Sequence, residues 1–112
     1  MNSNLQGNIG EAAALKYFIE QEYEVYLPFG TATKSDLVVV KDNKSYRVSV
    51  KSTSRISRSG RYEASIAQGK LRNTLPFDPE GSDILFIYVI LTKQHYVFNS
   101  SDVKTKRIVT VG

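Results

Sequence analysis

Apolar positions along this chain change their period several times, and each change marks an element. Glu11, Ala14, Leu15 and Phe18 stand at i, i+3, i+4 and i+7. That spacing is one face of a helix, expected from about Leu5 to Gln21. Tyr23 to Pro28, "YEVYLP", reads as a strand stopped by proline, and "FGTATKS" as a loop. Asp36 to Lys41 and Ser45 to Ser52 read as two strands joined through Asp42-Asn43, a pair that suits a hairpin turn. "TSRISRSGRYEASIA" reads as an extended arm turning at Ser59-Gly60. "QGKLRNTLPFDPEGS" reads as a helical turn or irregular connection, broken by Pro76 and Pro79. Asp83 to Leu91 and Gln94 to Phe98 form a second hairpin, and Arg107 to Val111 a last short strand. One helix followed by a run of strands predicts an α/β fold, a mixed sheet with the N-terminal helix packed on it.

The longest apolar run, "ILFIYVIL" from Ile84 to Leu91, is far shorter than the roughly 20 apolar residues of a membrane span. It is rich in β-branched and aromatic residues, so a buried central strand is expected and no membrane partner. At 112 residues and 41% hydrophobic, the chain suits one compact domain over 1–112. There is no internal repeat or linker. The absence of cysteine excludes a disulfide scaffold, a thiol nucleophile and cysteine-based zinc sites. It fits a reducing cytoplasm, the expected location. The first residues lack the basic and apolar regions of a signal peptide.

Charge adds a direction. Lys44 to Arg72 holds eight basic residues and one acid, a net +7, against −3 for the rest of a chain of net +4. A one-sided basic segment suggests a polyanionic partner.

Three charged residues carry the candidate chemistry. Glu11 shares a helix face with apolar residues that must pack on the sheet, and a partly buried carboxylate is costly unless paired or metal-bound. Its plainer role is a capping box with Asn8 as N-cap. Asp36 shares a strand face with Val38 and Val40, expected core residues, and a polar strand entrance is its plainer reading. Lys51 shares a face with Ser49 and Arg47, with Tyr46, Val48 and Val50 on the other side. A solvated lysine at a strand end is common. Taken singly, each plainer reading is the stronger. Together the three form an ordered set, because the hairpin brings Asp36 towards the strand end that carries Lys51. Phosphodiester hydrolysis needs such a set. Mg²⁺ takes oxygen ligands from one or two carboxylates plus waters, and a lysine can orient the attacking water or steady the transition state.

"GNIGEAAALKYF…SDLVVV…YRVSVKS" resembles the PD-(D/E)XK nuclease superfamily, most closely the branch of intron-encoded homing endonucleases and archaeal Holliday-junction resolvases. The resemblance covers roughly the first half of the chain. It implies a restriction-endonuclease-like fold, with Glu11 and Asp36 as metal ligands, the Val50 carbonyl as a further one, and Lys51 as the catalytic lysine. The implied cofactor is Mg²⁺, with Mn²⁺ as substitute. Two positions depart from the pattern. The family's proline is Ser35, which matters little. Its second acid is Ser49, which reaches a metal only through water, so two carboxylates rather than three would hold a single cation. Glu63 is a weak substitute.

The arm "KSTSRISRSGRY" interleaves Arg55, Arg58 and Arg61 with hydroxyl groups, so phosphate contacts are expected there. Lys70 and Arg72 extend that surface, and Tyr62 is the tyrosine assigned to DNA. Tyr23, Tyr26, Tyr46, Tyr88 and Tyr96 follow strand patterns and are expected in the core. His95, the one histidine, is expected at a surface turn. The reading is therefore a Mg²⁺-dependent DNA endonuclease, homing-endonuclease-like. It would cut duplex or branched DNA and work as a dimer or tetramer, since one site cuts one strand. Three alternatives stand beside it: a junction-resolving nuclease, a catalytically inactive DNA-binding pseudo-nuclease, and a plain interaction domain.

Overall fold

Asn2 opens the first element of the computed structural model, which describes residues 1–29, 35–68 and 75–112. Its side chain accepts from the Leu5 N–H at 2.8 Å and so caps helix α1, Ser3–Glu20. Asn8 is therefore inside the helix, and the expected capping box with Glu11 does not form. The helix reaches back to Ser3, where Asn2 already supplies the cap. At the other end Glu22 adopts a φ of 67°. The Glu22 and Tyr23 N–H groups return to the Ile19 and Phe18 carbonyls at 2.9 and 3.0 Å, the bonding of a Schellman cap.

Among the described residues seven strands follow: β1 (Glu24–Tyr26), β2 (Leu37–Lys41), β3 (Lys44–Thr53), β4 (Tyr62–Ser65), β5 (Ile84–Val89), β6 (Gln94–Asn99) and β7 (Ile108–Val111). Five form a mixed sheet in the order β1-β2-β3-β5-β6. β3 and β5 are parallel, with Val50 opposite Phe86, and the other pairs are antiparallel. Asp42 and Asn43 close the β2–β3 hairpin with φ of 53° and 62°, the type I′ geometry that Asn and Asp tolerate.

α1 lies on one face of this sheet. Its buried row is Gly10, Ala14 and Phe18, an i, i+4, i+8 stripe, packed against Leu37, Val39, Val48, Val50 and Phe86. Two expectations are corrected here. Glu11 is on the exposed flank of the stripe rather than in it, and Leu15 is half-buried. On β2 the core positions are Leu37 and Val39, while Val38 and Val40 on the Asp36 face are half-buried.

The opposite face was not foreseen as covered. The arm after β3 folds back as β4 and pairs with β7, and this second sheet buries Leu85, Ile87 and Val89 beneath Ala64, Ile66 and Val111. The result is three layers: helix, five-stranded sheet, two-stranded sheet. Gln68 and Leu75 exchange two backbone hydrogen bonds at 2.8 and 2.6 Å, and residues 76–78 are irregular; the expectation was a helical turn or an irregular connection, and residues 69–74 of that segment lie outside the described residues. Phe77 anchors its end in the second core. Tyr26 is 53% exposed, its hydroxyl donating to Glu24 at 2.7 Å, and is not a core tyrosine, because β1 is an edge strand. His95 is exposed near the β5–β6 turn as expected, with its ring stacked on Phe86 at 5.3 Å between centroids. No helix among the described residues is long and apolar enough to cross a membrane.

Candidate active site

β2 stops pairing with β3 at Leu37, which is opposite Val48. The Asp36 N–H still donates to the Val48 carbonyl at 2.8 Å. One step further the ladder is replaced by a side chain: the Val50 N–H donates to Asp36 Oδ2 at 2.7 Å. Asp36 is thereby fixed at the point where the two strands separate. In an antiparallel pair the N–H and C=O of one residue point to the same neighbour. The Val50 carbonyl therefore points to the same side as its N–H, towards Asp36.

Glu11 comes to this point from the helix. Partial burial raises its pKa above the ordinary glutamate value, and the Asp36 charge raises it further. Glu11 and Asp36 are thus near enough for their charges to interact. Carboxylate and carbonyl oxygens are the hard donors that Mg²⁺ and Mn²⁺ take, and the candidate set is Glu11, Asp36 and the Val50 carbonyl. A divalent cation would relieve the repulsion between the acids. The set has two carboxylates and no third acid. Among the described residues no group of three or more carboxylates or histidines converges anywhere. Glu63 is engaged elsewhere, with Arg55 Nε at 3.6 Å from its carboxylate.

Ser49 and Lys51 alternate on the β3 face turned from α1. Ser49 is buried at 6% exposure, because the second sheet covers that face. Lys51 is half-buried, and no ion pair among the described residues engages its ammonium group. It follows Val50 directly, so Asp36, the Val50 carbonyl and Lys51 are brought together by one strand end.

The basic residues divide into engaged and free. Arg47 belongs to the fold: its N–H donates to Asp83 Oδ2 at 2.8 Å, and its guanidinium reaches Asp83 and the Glu80 carbonyl. Those bonds, the backbone one first, hold the Asp83 pKa below the ordinary aspartate value. In the arm, Gly60 turns with a φ of 82°, and the Ser57 N–H donates to the Arg61 carbonyl at 2.7 Å. Arg61 donates to the Thr110 carbonyl at 3.3 Å and Arg55 pairs with Glu63. Arg58 is exposed at the turn. Tyr62 packs half-buried against the second core, so its ring is a wall of the protein rather than a free stacking platform. Lys70 and Arg72 lie outside the described residues.

Sequence reasoning missed Gly10 and Ser52. A Cβ on Gly10 would overlap the Ser52 hydroxyl, so these two residues set how closely α1 approaches β3. The available signal was the small-residue pair Gly10 and Ala14, four apart on one helix face.

Comparisons with known proteins bear on the family and the fold. The profile of a family described as PD-(D/E)XK endonuclease matches residues 1–111. The chain is 28% identical over 109 residues to Protein 5.3 of Escherichia phage T7, covering 97% of this chain and 90% of that protein. A solved structure of a bacterial homing endonuclease, I-Ssp6803I, superposes with a TM-score of 0.84 over 100% of this chain and 79% of its own. At 22% identity that likeness speaks for the fold, which is restriction-endonuclease-like.

Proposed function

Because the chain belongs to the PD-(D/E)XK endonuclease family, we propose that it is a metal-dependent endonuclease hydrolysing DNA phosphodiesters, in the manner of homing endonucleases. One observation carries this reading. Where β2 leaves β3, the Asp36 carboxylate is seated on the Val50 N–H, and its charge acts on Glu11. Glu11, Asp36 and the Val50 carbonyl would hold Mg²⁺, with Mn²⁺ as substitute. Bound there, the cation supplies Lewis-acid neutralisation of the phosphate and lowers the pKa of a water.

The rest is the work of the chain. The Lys51 ammonium group orients the attacking water and donates to the phosphoryl oxygens as charge builds on them. Water adds to phosphorus, the bond to O3′ breaks, and the leaving oxygen takes up a proton. A 5′-phosphate and a 3′-hydroxyl remain. The second sheet covers the Ser49 side of β3 and limits solvent there. Arg55, Arg58 and Arg61 contact phosphates on either side of the cut. One such site cuts one strand, so double-strand cleavage calls for at least two copies.

The test is cleavage of supercoiled plasmid and of a four-way junction with Mg²⁺, Mn²⁺ or EDTA, beside Asp36→Ala and Lys51→Ala. Metal-dependent cutting, reduced by about 10³-fold or more in each variant, is expected. Preference for the junction would make the protein a resolvase instead. Ser49, with no charge in the third acid's place, favours a second reading, a DNA-binding module without catalysis. Binding without cutting under every metal condition would establish that one.

A further inference from the structure

Gly10 is buried, and the space of its missing side chain is already taken. A Cβ there would overlap Ser52 Oγ and come within 3.2 Å of Ser52 Cβ and 3.5 Å of Val50 Cγ1. Gly7, one turn earlier, meets nothing within 4 Å, so the absence of a side chain matters at Gly10 and not along the whole helix. Ser52 Oγ is buried, with no hydrogen-bond partner among the described residues. Its hydroxyl fills the gap against the helix at Gly10. One turn back, Gln6 Nε2 donates to Ser54 Oγ at 3.1 Å. Val50, Ser52 and Ser54 share one face of β3, and α1 meets that face in reverse order, Gly10 and then Gln6. The helix is thus seated along the strand end whose Val50 N–H seats Asp36.

We infer that the Gly10–Ser52 contact is a gauge that sets the separation between Glu11 and Asp36, which makes Gly10 a positioning residue for the cation. The inference rests on the reading of Glu11 and Asp36 as metal ligands. Glu11 follows Gly10 directly, so any lift of the helix at Gly10 carries Glu11 away from the Asp36 seat. Hard cations hold their oxygen ligands at about 2.0–2.1 Å for Mg²⁺, and a lift of even an ångström removes one ligand.

The experiment is calorimetric titration of Mn²⁺ into the protein without DNA, with a thermal melt of each variant beside it. Gly10→Ala is expected to weaken Mn²⁺ binding by about tenfold or more, the usual effect of disturbing a ligand's support. In Gly10→Ala/Ser52→Gly the new methyl keeps only an ordinary contact with Val50, and affinity returns to within about threefold of Ser52→Gly alone, a coupling read from the double-mutant cycle. Ser52→Thr enlarges the strand side and weakens binding with Gly10 intact; it decides the matter should Gly10→Ala not fold. A folded Gly10→Ala or Ser52→Thr that binds Mn²⁺ like the unaltered protein overturns the gauge, and so does a lower melting temperature with unchanged affinity. Failure of the double variant to recover affinity overturns it too. If the unaltered protein binds no Mn²⁺, or Asp36→Ala binds as well as it does, the metal reading itself falls and the gauge with it.

Discussion

Ser49 shows how much one residue's surroundings decide about its chemistry. It precedes Val50, on which Asp36 is seated, and is 6% exposed, where the resemblance would place an acid. A third carboxylate in so closed a place would be desolvated, and repelled by Asp36, until a cation arrived. Ser49→Asp is therefore expected to destabilise the metal-free fold by about 1–3 kcal/mol. It should also tighten Mn²⁺ binding by about tenfold, near 1.4 kcal/mol. Thermal melts at rising Mn²⁺ check both, and an unchanged metal midpoint would remove Ser49 from the site. Sequence alone proposed Asp36 and Lys51, through the hairpin and the resemblance. It did not show that Ser49 is enclosed, because the residues that enclose it come from strands far along the chain.

At the scale of elements, two junctions carry measurable energy. Glu22 holds the left-handed position of the α1 cap, where a side chain is strained and glycine is not. Glu22→Gly is expected to stabilise the protein by about 1 kcal/mol, a rise of a few degrees in Tm; an equal or lower Tm would mean the cap carries no strain. Arg47 and Asp83 clip the β3 start to the β5 start, with bonds running both ways between them. The folded pKa of Asp83 lies below its unfolded value, so its contribution is fully present above the unfolded pKa and is lost as pH falls through the folded one. The Asp83 side chain is 43% exposed, so solvent screens the pair and the contribution stays below about 1 kcal/mol. Denaturant unfolding of Asp83→Asn should show a deficit at pH 7 that shrinks as pH falls below the ordinary aspartate range. A deficit independent of pH would assign the clip to geometry rather than charge.

For the whole molecule, the basic segment divides by engagement rather than by sequence position. Arg47 is built into the fold, whereas Arg58 stands exposed at the arm's turn. Arg58→Ala is expected to weaken DNA binding similarly for all sequences and to reduce the slope of log affinity against log salt by about 1. Arg47→Ala should lower stability and leave that slope unchanged. Equal effects on the slope would show that both contact phosphate. A separate whole-molecule consequence follows from the parallel β3–β5 pair. Such strands need a long crossover, and here the chain between them contributes the arm and half of the second sheet.

Much of the fold was legible in the order of residues. The helix stripe, the Asp42-Asn43 turn and the buried run at Ile84 depend on neighbours within a few positions, and local periodicity records them. The hairpin that brings Asp36 towards the end of β3 was legible for the same reason, whereas the helix period put Glu11 in the buried stripe and the fold puts it on the exposed flank. Other features needed the folded chain. The second sheet pairs β4 with β7 across more than forty residues, and nothing local in the arm distinguishes a free ribbon from one that covers a core. The role of Tyr62 changed with that pairing, and so did the enclosure of Ser49. The seat of Asp36 on the Val50 N–H and the contact of Gly10 with Ser52 are tertiary facts as well. Each is decided by where two strands part or how near a helix settles, and such distances come from packing between remote segments rather than from the pattern of any one of them.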